Sequence, residues 1–180
     1  MVYSYKELIY KYGSNYQINK KLASKEIFKI TNGVYANKEI VNPIVISCKK
    51  YEKSIITMDS AFYYYDLTDV IPQKTHIATE MHSYLIPDKS ITQYFIKEEL
   101  LEIGKTTRKI NDDIINIYDK ERLLIELIRR RNEIAFDYYK EIINNYRNIS
   151  YELKINKIEK YLSYFPNQEK IFDIIQREVF

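Results

Sequence analysis

The sequence predicts an α+β fold with a small N-terminal unit, a mixed α/β region and a final bundle of about four helices. Asn32-Gly33 separates two short, apolar, β-prone runs, which is a hairpin signal because glycine tolerates positive φ. Residues 75–81 alternate apolar and polar side chains, as half-buried strands do. From residue 119 onward, apolar side chains recur three or four positions apart, which is typical of helices that bury one face.

Length and composition limit the class of protein. The chain has 180 residues, of which 46% are hydrophobic, so it can bury a core and is not expected to be disordered. It has no run of 18 apolar residues and no secretory signal at its start, so neither a membrane span nor export is expected. Cys48 is the single cysteine, which excludes an internal disulfide and a cysteine-based zinc site. The simplest expectation is a cytoplasmic protein.

A first helix is predicted over residues 4–12. Ser4 is a suitable N-cap, and Glu7 occupies the third helical position, which completes a capping box. Gly13 is expected to end this helix, since glycine adopts the left-handed conformation of a C-cap at no steric cost.

A second helix is predicted to begin at once. Ser14 is its N-cap, and Ile18 and Leu22 lie four positions apart, so both are expected to face inward. The hairpin around Asn32-Gly33 follows. Helix, helix and hairpin, in this order, are the layout of a shortened winged helix-turn-helix, although the same order also occurs in small α+β units without a ligand.

The outward-facing side chains of this unit suit double-stranded DNA. Amides can pair with adenine edges and ammonium groups neutralise phosphates. The predicted base-edge contacts are Asn15, Tyr16, Gln17 and Asn19. The predicted phosphate contacts are Lys20, Lys21, Lys29 and Lys38. Asn32, at the hairpin tip, is predicted to enter a minor groove.

Positive charge is concentrated in the same unit. Residues 1–41 contain seven lysines and three glutamates, a net charge of +4, whereas the whole chain carries +3. The remaining residues therefore sum to −1. A polyanion is expected to bind at the basic end, although a solvated lysine-rich surface would have the same composition.

A domain boundary is predicted between residues 41 and 42. Asn42-Pro43 is a strong helix start, because asparagine caps and proline fits the first helical position. The predicted domains are 1–41, which binds DNA, and 42–180, which follows it. Within the second, the sequence predicts helices over 43–51 and 59–65, short strands within about 75–118, and helices over about 119–180. One of those helices is predicted to bury Tyr151, Ile155, Ile158, Leu162 and Phe165.

Neither a metal site nor an enzyme is expected. His76, Glu80 and His82 do not have the spacing of a zinc motif. A nuclease or nucleotidyltransferase would need clustered carboxylates, but those of this chain have structural explanations in turns and at a helix start. They are Asp112, Asp113, Asp119 and Glu121. No glycine-rich phosphate loop and no catalytic triad is present, so no cofactor is predicted.

Five charged residues near the start of the helical region have two interpretations. Glu121 and Arg122 are flanked by apolar residues, which favours packing of helices against the sheet. Arg129, Arg130 and Arg131 fall at a predicted helix C-terminus, where the helix dipole favours cations. The alternative for all five is contact with a partner.

Four stretches follow one another in an order that matches a known family. Residues 26–35 resemble its wing, and residues 60–72 resemble its central Ser-Ala, aromatic, Leu-Thr-Asp and Pro run. Leu101-Glu102-Ile103-Gly104 matches a short motif that follows a strand, and residues 117–122 resemble a Tyr-Asp-x-Glu-Arg signature that opens a helix. The chain thus resembles the AbiEi family, the antitoxins of AbiE abortive-infection toxin–antitoxin systems.

The resemblance implies a bacterial transcriptional repressor and antitoxin in phage defence. Its N-terminal domain would bind operator DNA and repress its own operon, and its C-terminal region would counteract a nucleotidyltransferase-like toxin without a direct contact being implied. Two alternatives stay open. The helix–helix–hairpin unit could be a protein-docking module that binds no DNA, or the chain could be an enzyme that acts on nucleic acid.

Overall fold

A computed structural model describes all 180 residues. The chain is a mixed α+β protein with nine α-helices and two sheets, as the sequence predicts at this level. It divides into two compact units, which comprise residues 1–54 with 107–116, and residues 55–106 with 117–180. None of the helices has the length and apolar character needed to cross a membrane.

The first unit contains both predicted N-terminal helices and the predicted hairpin. Its elements are β1 (Val2–Ser4), α1 (Tyr5–Tyr12), α2 (Asn15–Ala23), β2 (Phe28–Thr31), β3 (Val34–Ala36) and α3 (Pro43–Lys50). The three strands form an antiparallel sheet in the order β1-β3-β2. Strand β1 was not predicted, because three residues are too few to show an alternating pattern.

Local signals place the boundaries of these elements. The Ser4 hydroxyl accepts from the Glu7 amide while the Glu7 carboxylate accepts from the Ser4 amide, so the predicted capping box is confirmed. Gly13 ends α1 at φ +81°, in the left-handed region. The Asn42 side chain accepts from the Ile44 amide at 2.9 Å and caps α3.

Cys48 lies on α3 and is half-buried. Burial raises the pKa of its thiol to about 12, so the thiolate is scarce at neutral pH.

The short strands predicted within about residues 75–118 are present in the second sheet. The elements up to the last strand are β4 (Ile55–Ile56), α4 (Met58–Tyr64), β5 (Thr75–Glu80), β6 (Ile91–Ile96), α5 (Glu98–Leu101), β7 (Lys105–Ile110) and β8 (Asp113–Tyr118). The sheet order is β6-β5-β4-β8-β7, with β5 parallel to β6 and antiparallel to β4, and β4 parallel to β8. Part of β7 and β8, residues 107–116, groups with the first unit.

Four helices follow the sheet: α6 (Lys120–Arg129), α7 (Phe136–Asn148), α8 (Ile155–Leu162) and α9 (Gln168–Glu178). The buried face predicted from residue 151 is wrong at its first two positions, Tyr151 and Ile155, and Ile155 is 47% exposed. Tyr151 lies in a short 3-10 turn (Ser150–Glu152) before α8 and is 83% exposed. The spacing of apolar residues by four and three positions extends into this turn by coincidence. The buried residue at this point of the chain is Leu153, directly after the turn.

Candidate nucleic-acid interface

Helix α2 is held by a small apolar cluster at the centre of the first unit. Leu8 of α1, Ile18 of α2 and Ile27, which precedes β2, are each 2% exposed or less and pack together. Leu22 and Tyr35 pack against this cluster from its edge. The opposite face of α2 is therefore left in solvent, as the spacing of Ile18 and Leu22 predicts.

Only two residues join α1 to α2, so the angle between the helices is fixed by their caps. The Gly13 amide bonds to the Ile9 carbonyl at 2.8 Å, and the Ser14 hydroxyl accepts from the Gln17 amide at 3.3 Å. Both predicted caps are therefore present. One of the free amides at the start of α2, that of Gln17, is thus satisfied by a side chain of the same unit.

A continuous polar stripe runs along the exposed face of α2. Asn15, Tyr16, Asn19 and Lys20 are all exposed, and the spacings of three and four positions between the first two and the last two make them neighbours on the helix surface. The Tyr16 side chain is 75% exposed. We call these four residues the α2 stripe. Gln17 is also exposed but lies to one side of it.

Lys21 differs from the other predicted phosphate contacts. Its ammonium lies 2.6 Å from the Glu26 carboxylate, and Ser24 donates to the same carboxylate at 2.8 Å. Hydrogen bonds from Lys21 and Ser24 lower the pKa of Glu26, so the carboxylate is charged at neutral pH. Part of the Lys21 charge is therefore neutralised. Sequence reasoning missed Glu26 because the pair forms across the end of the helix, outside the usual spacing for helical ion pairs.

The hairpin presents three of the predicted DNA contacts. Lys29 on β2, Asn32 at the turn and Lys38 after β3 are all exposed. Gly33 has φ +77°, which confirms the predicted turn, and its carbonyl accepts from the Tyr5 amide at 3.0 Å. That bond ties the hairpin turn to the start of α1, so the tip is not a free loop.

Three of the four predicted acidic residues form contacts within their own unit. In the first unit, the Asp113 carboxylate accepts from the Val2 amide at 2.7 Å. In the second, Asp119 caps α6 by accepting from the Arg122 amide at 2.9 Å, as predicted. Glu121 accepts from the Lys154 amide and from the Lys157 ammonium, each at 3.2 Å. Asp112 is exposed in the turn before β8.

Arg122 is completely buried within the second unit. Its guanidinium donates to the Glu126 carboxylate at 2.8 Å and to the backbone carbonyls of Leu100 and Ile103 at 2.8 and 3.0 Å. A side chain without exposed surface touches no partner, so the packing interpretation holds for Arg122. The acid that it pairs with is Glu126, one helical turn away, and not the adjacent Glu121.

The arginines that follow share the same buried acid. Glu126 is 2% exposed and also receives Arg129 at 2.9 Å and Arg130 at 3.6 Å. Arg131 is less constrained, since its nearest acid is Glu178 at 4.0 Å. Arg129 and Arg130 keep part of their surface exposed, so contact with a partner stays a prediction for these residues.

The two histidines do not come together. His82 is exposed in the turn after β5, whereas the His76 ring on β5 lies against Tyr94 of β6 and Asp59 of α4.

No protein-family model matches the chain, and a search of curated proteins finds no significant sequence relative.

Proposed function

We propose that this protein is a DNA-binding repressor and antitoxin of an AbiE-like system. The observation that carries the DNA-binding half is the α2 stripe: four polar side chains left uncovered on a short, well-capped helix that a hairpin follows. In this proposal the first unit is a winged helix-turn-helix, α2 is its recognition helix, and the β2–β3 hairpin is its wing.

The proposed mode of binding follows from what each side chain can do. The major groove of B-DNA admits an α-helix, so the α2 stripe enters it with Asn15 and Asn19 placed for base edges. Tyr16 supplies a hydroxyl and a ring for contact with bases or sugars. Lys20 neutralises a phosphate, and Lys29 and Lys38 do the same from the wing side.

The antitoxin half rests on the sequence resemblance of the second unit. The matching stretches are residues 60–72, 101–104 and 117–122. In the proposal this unit counteracts a nucleotidyltransferase-like toxin and has no enzymatic activity of its own. The buried contacts of Asp119 and Arg122 support a structural role for the last stretch, which positions the start of α6.

Lys20→Ala is expected to weaken binding to every DNA duplex by about fivefold near 0.1 M salt, because one phosphate contact is lost. The slope of log affinity against log salt should fall in magnitude by about 0.9. Fluorescence anisotropy across a salt series measures both quantities. Lys160→Ala is the matched control, since it removes one exposed lysine from α8 of the second unit. Equal slopes for wild type and Lys20→Ala would show that α2 does not face the phosphates.

Glu26→Gln is expected to tighten DNA binding by about threefold, because the amide no longer neutralises Lys21. Glu39→Gln is the control: it changes the net charge equally, and Glu39 forms no ion pair within the chain. The same anisotropy assay compares the two variants. If both tighten binding by the same factor, the gain comes from net charge alone and Lys21 has no contact with DNA.

A further inference from the structure

The second unit contains a polar cavity that the proposed function does not use. It has a volume of about 300 Å³, near the lower end for small-molecule sites. Residues from four segments distant in sequence line it, among them Asp59, His76, Tyr94, Arg130 and Tyr138. We call it the Asp59 cavity.

A hydrogen bond to Tyr94 and a nearby carboxylate favour one protonation pattern of the cavity wall. The Tyr94 hydroxyl lies 3.1 Å from His76 Nδ1, and the Asp59 carboxylate lies 3.6 Å from His76 Nε2. Burial lowers the pKa of His76, against the opposing effect of Asp59, so the ring is neutral near pH 7. An acid beside Nε2 favours the proton there, which leaves Nδ1 to accept from the Tyr94 hydroxyl.

This pattern leaves the wall rich in acceptors and poor in donors. Asp59 is about one-third exposed and has no ion pair with a lysine or arginine. The Tyr94 hydrogen is used by His76, so its oxygen lone pairs stay available. Two of the three guanidinium nitrogens of Arg130 face acids, Nη1 at 2.9 Å from Glu133 and Nε at 3.6 Å from Glu126, so its positive charge is balanced within the chain.

Aromatic rings complete the wall and favour a positive ligand. The guanidinium of Arg130 lies 4.8 Å from the centre of the Tyr94 ring, so one face of this ring already takes a cation. The His76 ring lies 5.7 Å from the same ring, and Tyr138 lines the cavity from α7. The Tyr138 hydroxyl is buried and makes no hydrogen bond of good geometry, although Thr68 is close enough to affect its pKa.

We propose that the Asp59 cavity binds a protonated amine or guanidinium group, with Asp59 as its counter-ion. A carboxylate that has no lysine or arginine partner and lies beside aromatic rings is a favourable site for an organic cation and an unfavourable one for an anion. The ligand is a free small amine or the end of a lysine or arginine side chain from another protein. The proposal depends on the second unit alone, so its test is independent of DNA binding.

Isothermal titration of the full-length protein tests this with two probes. Agmatine represents a free small cation, and Nα-acetyl-arginine methylamide represents a side chain held in a peptide. We expect one site with a dissociation constant of about 1 mM or tighter for at least one probe. The tighter probe identifies the source of the cation. Phosphate and neutral n-butanol should not bind at this site.

Variants separate this site from general charge effects. Asp59→Asn keeps the shape of the side chain and is expected to weaken binding of the tighter probe at least about tenfold. Asp69→Asn, an exposed aspartate of the same unit, should leave it unchanged. Tyr94→Phe keeps the ring and should weaken binding less than Asp59→Asn does. The proposal is overturned if neither probe binds, if phosphate binds as well, or if Asp59→Asn binds like wild type.

Discussion

Gly104→Ala should lower the free energy of unfolding by about 3 kcal/mol or more. Gly104 has φ +76°, which L-residues adopt at a cost. An alanine Cβ there would also overlap the Cβ of the buried Arg122 and lie 2.8 Å from its Cγ. Arg122 cannot retreat, because its guanidinium is fixed by carbonyls and by Glu126. Urea unfolding followed by circular dichroism measures the loss.

Gly13→Ala is the matched control for that substitution. Gly13 has φ +81°, but an added Cβ meets nothing within 4 Å. Only the conformational cost applies, so we expect a loss of about 1 kcal/mol. The difference between the two variants isolates the overlap with Arg122. If the two variants lose the same free energy of unfolding, the close approach of Gly104 to Arg122 does not affect stability.

Arg122→Met is expected to cost about 3–5 kcal/mol in the free energy of unfolding. The substitution leaves the Glu126 carboxylate buried without its closest partner and leaves two backbone carbonyls without donors. It also removes a planar cation that lies 4.6 Å from the Tyr118 ring centre and 4.7 Å from that of Phe165. Methionine fills the volume but restores none of these contacts.

A double variant shows whether the unpaired charge causes this loss. Arg122→Met combined with Glu126→Leu removes both members of the buried pair, so it should be more stable than Arg122→Met alone. Arg129 and Arg130 are 30% and 22% exposed and can turn to solvent when Glu126 is removed. Chemical denaturation of wild type, both single variants and the double variant gives the coupling energy. If Arg122→Met were as stable as wild type, the buried contacts of Arg122 would not stabilise the unit.

Short-range sequence signals predicted the parts of the fold that depend on interactions between neighbouring residues. The Ser4–Glu7 capping box, the Asn42 cap and the Asn32-Gly33 turn all depend on residues within a few positions of one another. Strand β7 was not predicted, because its residues, Lys105–Ile110, are largely polar and show no alternation of apolar and polar side chains. It is a strand because it pairs at the edge of the sheet, which is a tertiary effect.

In the candidate sites, too, sequence patterns predict only what depends on residues close together in the chain. Outward-facing residues of α2 follow from the positions of Ile18 and Leu22, so the stripe could be predicted from helical spacing. The Lys21–Glu26 pair depends on how the chain leaves the helix, and no periodic pattern contains it. The Asp59 cavity joins residues from 59 to 138 that only tertiary packing brings together. Arg122 and Glu126 have ion-pair spacing in the sequence, but their burial is set by the elements around them.

Binding of the full-length protein to the DNA upstream of its own gene tests the central claim most directly. Fluorescence anisotropy would compare that duplex with a scrambled duplex of equal length between about 50 and 200 mM salt. The proposal predicts tighter binding to the native duplex by about 10³-fold or more, with a steep loss of affinity as salt rises. Equal weak binding to both duplexes, or none, would contradict it and would favour a first unit that docks on a protein.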